Sequence, residues 1–100
     1  MIVHIVFWKL NEEANGMSKV ENAKAIKQKL EDLNGKIEGC LKIEVGFDFL
    51  HSAESADVVL YSEFESKEAL SFYANHPLHK AAMPFIAEAR SERRVVDYEK

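Results

Sequence analysis

One hundred residues, 47% hydrophobic and 30% charged, are enough for one folded domain and too apolar for a disordered chain. The net charge of −4, with basic residues scattered except for Arg90, Arg93 and Arg94, argues against the basic face that nucleic-acid binding needs. One cysteine, Cys40, excludes an internal disulfide and suits a reducing compartment, and no apolar run approaches the roughly 18 residues of a membrane span.

Residues 1–10 are dense in β-branched and aromatic types and read as a strand. Val3, Ile5 and Phe7 lie on one side and Ile2, Val6 and Trp8 on the other, so both faces call for cover. Residues 11–16 are polar and turn-rich. Ser18 with Glu21 three residues on has the spacing of a capping box, and the helix it opens carries Val20, Ala23, Ile26, Leu30 and Leu33 on one stripe. Asn34-Gly35 closes that helix.

Residues 40–50 alternate, with Leu41, Ile43, Val45, Phe47 and Phe49 facing one way, as in a half-buried strand. Residues 51–56 form a small polar loop, and residues 57–65 a second strand paired to the first as a hairpin. Ser66 caps a short helix reaching about Ala74. Pro77 belongs in the first turn of a new helix, which runs to about Arg90 and which Pro84 bends or breaks. Residues 91–98 form a last strand around Val95 and Val96.

The whole chain, residues 1–100, is therefore expected to be one α+β domain of ferredoxin-like βαββαβ order, an antiparallel sheet with its helices on one face. The uncovered face is apolar in the first strand, and an exposed apolar patch of several hundred Å² is rare on a monomer. A two-fold homodimer joined through the sheet faces removes it.

The chemistry-bearing stretch is Tyr73, Ala74, Asn75, His76, Pro77, Leu78, His79, which sets a phenol beside two imidazoles. A histidine can move protons near neutral pH, and a tyrosine beside it can hold a carbonyl or enol oxygen. His79 and Tyr73 are the catalytic candidates, each with an alternative as an ordinary helix or core residue. His4, on the doubly apolar first strand, and His76 are the binding candidates; His4 also fits as a core or interface residue, and His76 as the residue that closes a turn before Pro77. His76 and His79 straddle a helix start, so no metal is expected. With no glycine-rich phosphate loop either, no cofactor is expected.

The opening Ile2-Val3-His4-Ile5-Val6-Phe7-Trp8-Lys9-Leu10, the Ser62-to-Leu70 segment Ser-Glu-Phe-Glu-Ser-Lys-Glu-Ala-Leu, the Tyr73-to-His79 motif and the closing Val95-Val96-Asp97-Tyr98-Glu99 resemble the stress-responsive dimeric A/B barrel (Dabb) family over essentially the whole chain. The resemblance implies a ferredoxin-like protomer and a dimer whose sheets form a barrel. Many members have no assigned activity, and some plant members are associated with stress or defence. The similarity extends distantly to olivetolic acid cyclase, whose catalytic tyrosine and histidine match Tyr73 and His79 and whose strand-one pocket histidine matches His4. Two residues of that cyclase's pocket do not carry over: Val58 stands where it has a further histidine, and no tyrosine occurs near Ile26.

Two functional classes follow. The first is a cytoplasmic homodimer of unassigned activity that binds a small molecule between sheet and helices, with no nucleic-acid or membrane partner. The alternative is a small cofactor-free cyclase- or lyase-like enzyme using a histidine–tyrosine acid–base pair on a carbonyl-bearing substrate.

Overall fold

Alternating side chains set the layout of a four-stranded antiparallel sheet. In the computed structural model, which describes Met1–Lys100, the order is β1 (Ile2–Leu10), β2 (Glu13–Ala14), β3 (Met17–Ser18), α1 (Lys19–Glu31), β4 (Cys40–Phe47), β5 (Val58–Phe64), α2 (Lys67–Asn75), α3 (Pro77–Ala89) and β6 (Arg90–Glu99). The main sheet runs β4-β5-β1-β6, with every neighbouring pair antiparallel. This is the expected ferredoxin-like arrangement, with β2 and β3 as an added hairpin. No helix is long and apolar enough to cross a membrane.

The hairpin escaped the sequence reading because its strands are two residues long. Asn15 and Gly16 take positive φ of 54° and 71°, the geometry of a tight primed turn between antiparallel strands. It is tied down by Asn22, which is fully buried in α1. The Asn22 amide donates to the carbonyls of Ala14, Met17 and Ser18 at 2.9, 3.2 and 3.0 Å, and its Oδ1 accepts from Asn15. Val20, placed on the core stripe by spacing, is 61% exposed, because the first turn of α1 turns this polar clamp inward instead. The capping box at Ser18 and Glu21 forms as expected.

Two other expectations shift. The β4 alternation breaks at a bulge between Cys40 and Lys42, which leaves Leu41 52% exposed, and the strand ends at Phe47, so Phe49 lies in the following loop, 89% exposed. Pro84 does not end α3: it and Lys80, whose carbonyl loses its helical N–H partner, both lie on the exposed side of the helix.

Ile2, Val6, Trp8 and Leu10 of β1 join Leu60 and Phe64 of β5, Ile26 and Leu30 of α1 and Ile86 of α3 in one contiguous core. The C-terminal part of α1 also covers the outer edge of β4. The Asn34 amide accepts from the Ile43 N–H and donates to its carbonyl at 2.9 and 2.8 Å, and Glu31 and Lys27 engage the Val45 N–H and carbonyl. That edge is closed to further strand pairing. Gly39 lets α2 approach: φ is +83° and a Cβ there would sit 2.7 Å from the Ala69 Cβ. The opposite sheet face, carrying Phe7, Tyr61, Val96 and Tyr98, has no helix over it, and Phe7, Val96 and Tyr98 stay 38, 51 and 45% exposed.

Candidate functional site

Proline-77 creates the site's geometry. The residue before a proline is pushed out of helical conformation, and His76 is extended, with φ −70° and ψ 137°. It ends α2 by donating its N–H to the Tyr73 carbonyl and starts α3 by accepting the Leu78 N–H at its own Nδ1 (3.1 Å). The break folds the last turn of α2 against the first turn of α3. Tyr73 and His79 then meet with ring centroids 4.4 Å apart.

Both residues line a cavity of about 320 Å³ between the helices and the inner face of β1, β5 and β6. Its body is apolar, from Val6, Leu60, Leu70, Met83 and Ile86. His4 enters from the floor, its ring 6.5 Å from that of Tyr73. Three of the four residues singled out in the sequence are thus brought together. His76 is not among them: it lies outside the cavity as a helix cap, its ring edge-on to Phe72 at 5.6 Å.

The antiparallel register puts His4 opposite Asp97, and the Asp97 carboxylate accepts a hydrogen bond from His4 Nδ1. With Nδ1 so engaged, the free ring nitrogen of His4 is Nε2. His79 is held in the same way by the Ala74 carbonyl, 3.1 Å from its Nδ1. Burial holds the His79 pKa below its ordinary value of 6.5; the Ala74 bond opposes this, and His4 and Arg93 add to the lowering. Burial pushes the Tyr73 phenol well above the ordinary tyrosine range, so Tyr73 is a donor across the physiological range and not a base. It also raises the Cys40 thiol, which makes a poor nucleophile.

Two cavity-lining residues carry a fully buried donor with no hydrogen-bond partner, Tyr73 at Oη and Trp8 at Nε1. Such orphaned groups are uncommon in folded proteins. Asp97, Trp8, Arg90 and Arg93 were not singled out from the sequence as parts of the site. The i, i+2 spacing of Arg93, Val95 and Asp97 does put them on one strand face. Nothing in the sequence, however, shows that His4 pairs with a residue 93 positions away.

The family model for the Stress responsive A/B Barrel Domain matches residues 2–100. The chain is similar to a dimeric ferredoxin-like protein of unknown function from Bacteroides fragilis, at 37% identity over 99% of this chain and 95% of that one, with a TM-score of 0.86. A dimeric ferredoxin-like protein of unknown function from Thermobifida fusca shares 21% identity over 99% of this chain and 90% of that one (TM-score 0.84). A putative antibiotic biosynthesis monooxygenase from Nitrosomonas europaea shares 20% identity over 100% and 98% (TM-score 0.73). These last two likenesses show the fold alone. No curated protein matches the chain.

Proposed function

The chain belongs to the stress responsive A/B barrel family, and from that premise we propose that it works as a cytoplasmic homodimer that binds a small molecule between sheet and helices. The cavity carries this reading. Its 320 Å³ lies within the size range of small-ligand pockets, and an apolar body with a few converging polar groups is what such pockets share. The dimer rests on the uncovered face around Phe7, Val96 and Tyr98 and on the dimeric state of the Bacteroides fragilis protein.

Trp8 is the chain's one tryptophan and lines the cavity, so it reports occupancy. Titrating the protein with benzoylacetone, an apolar-bodied dicarbonyl, shifts Trp8 emission in a saturable way. Ala87→Phe, on the exposed side of α3 at the cavity wall, fills the space and abolishes the shift. Light scattering then reports a dimer that Phe7→Glu dissociates. A response that Ala87→Phe leaves intact removes the cavity from the reading.

A second reading, a cofactor-free enzyme, is favoured by the His4–Asp97 pair and the Tyr73–His79 contact. His79 Nε2 takes a proton from an acidic C–H, and Tyr73 donates to the enolate oxygen that forms. His4, its ring fixed by Asp97, packs edge-on against Tyr73 and orients it. Turnover of a 1,3-dicarbonyl that survives both His79→Ala and Tyr73→Phe refutes this reading.

A further inference from the structure

We infer that the ligand of this cavity is an organic anion, an aliphatic or aromatic body whose carboxylate is held at the mouth by Arg93 with Arg90. This deepens the binding reading above and rests on it. On the inner face of β6, Arg93, Val95 and Asp97 stand opposite Trp8, Val6 and His4, and every β6 residue is exposed because no helix closes over that strand. Arg90 enters the same cavity from the junction of α3 and β6.

Neither guanidinium has a carboxylate within ion-pair distance, since every ion pair in the chain is made by a lysine or a histidine. Asp97, the one acid lining the cavity, is engaged by His4. The neighbouring Arg94 points to the opposite face of the sheet with Phe7, so Arg93 stands apart from the face proposed for the dimer.

The polar groups of the cavity are unbalanced. The exposed donors are two guanidinium forks, of Arg90 and Arg93, neither held in an ion pair. The free acceptors are the Nε2 atoms of two histidines and what remains of Asp97. A complementary ligand is therefore rich in acceptors and negatively charged. A planar carboxylate matches the arginine fork in a bidentate way that a neutral amide does not. A cation would meet two unpaired positive charges at the entrance.

The test uses 4-phenylbutyrate and its neutral amide, with Trp8 emission as the readout and oligomeric state followed in parallel. The acid binds roughly fivefold to tenfold tighter than the amide, a preference that 0.5 M salt erodes. Arg93→Gln removes most of the preference, leaving the share that Arg90 supplies, and Arg93→Lys restores part of it. The exposed position of Arg93 leaves folding intact, checked by circular dichroism. Equal binding of acid and amide overturns the anion inference and leaves the cavity reading standing. If neither compound perturbs Trp8 at millimolar concentration, both fall. If Arg93→Gln weakens the dimer and not the preference, Arg93 serves the partner subunit and the inference is wrong.

Discussion

Replacing Tyr73 by phenylalanine deletes one oxygen from a side chain that is 1% exposed, and the structure gives that oxygen no hydrogen-bond partner. Leaving a buried hydroxyl unpaired costs about 1–3 kcal/mol of desolvation relative to water, which the substitution returns. The lost atom also gives up its own dispersion contacts, at roughly 0.1–0.2 kcal/mol each, or about 0.5–1 kcal/mol in all. The ring keeps its packing on Phe64, with centroids 5.0 Å apart, and on His79. The net expectation is a gain of about 1 kcal/mol, which for a chain this size raises Tm by roughly 4–8 °C. Calorimetry at matched protomer concentration measures it, because the Tm of a dimer depends on concentration. An unchanged or lower Tm means that the hydroxyl is bonded in the folded protein, and the argument from an orphaned donor collapses. A gain in stability together with weaker ligand binding marks Tyr73 as a residue kept for function at a cost to stability.

Gly39→Ala is expected to destabilise by about 1–3 kcal/mol, because alanine is strained at a positive φ and its Cβ would collide with Ala69. Gly35→Ala, with a positive φ and open space around it, isolates the backbone part, and equal losses in urea melts would show that the contact with α2 contributes nothing. Stability also follows pH through His79. Its folded pKa lies below 6.5, so the unfolded chain binds the extra proton first and stability falls as pH drops below about 6.5 and on through the folded pKa. His79→Phe flattens that part of the acid limb in melts from pH 7.5 to 5. An acid limb left unchanged by the substitution places the ring in solvent and not at the cavity wall.

Local rules carried the helices and strands of this chain, and long-range register carried the site. Ser18, Ser66 and Pro77 each mark a helix start by chemistry confined to three or four residues, and each start lies where that chemistry puts it. Tyr73 and His79 were legible for the same reason: one proline bends the chain between them. His76 is ambiguous by local chemistry, since a histidine before proline satisfies the capping rule and the look of a binding motif equally, and here it caps. Asn22 looks like an ordinary helix-surface residue by type, yet it is fully buried, because three carbonyls of the preceding hairpin supply its partners. Asp97 could be read only as a polar residue on a strand; its meaning depends on which β1 residue lies opposite.

The same register explains why the cavity exists where it does. Three helices have to cover four strands, and α1 is drawn toward the β4 edge by the bonds of Glu31, Lys27 and Asn34. That leaves β6 bare on its inner face and opens a gap beside α3. In a chain of 100 residues such a gap forgoes apolar contact that the modest core could use, and two of the residues around it each bury an unpaired donor, which adds to the loss. Packing alone would favour a leucine or phenylalanine at Tyr73 and an aliphatic residue at His4. Each departure from that preference faces the same 320 Å³, which is the pattern expected when binding and not stability sets the residues.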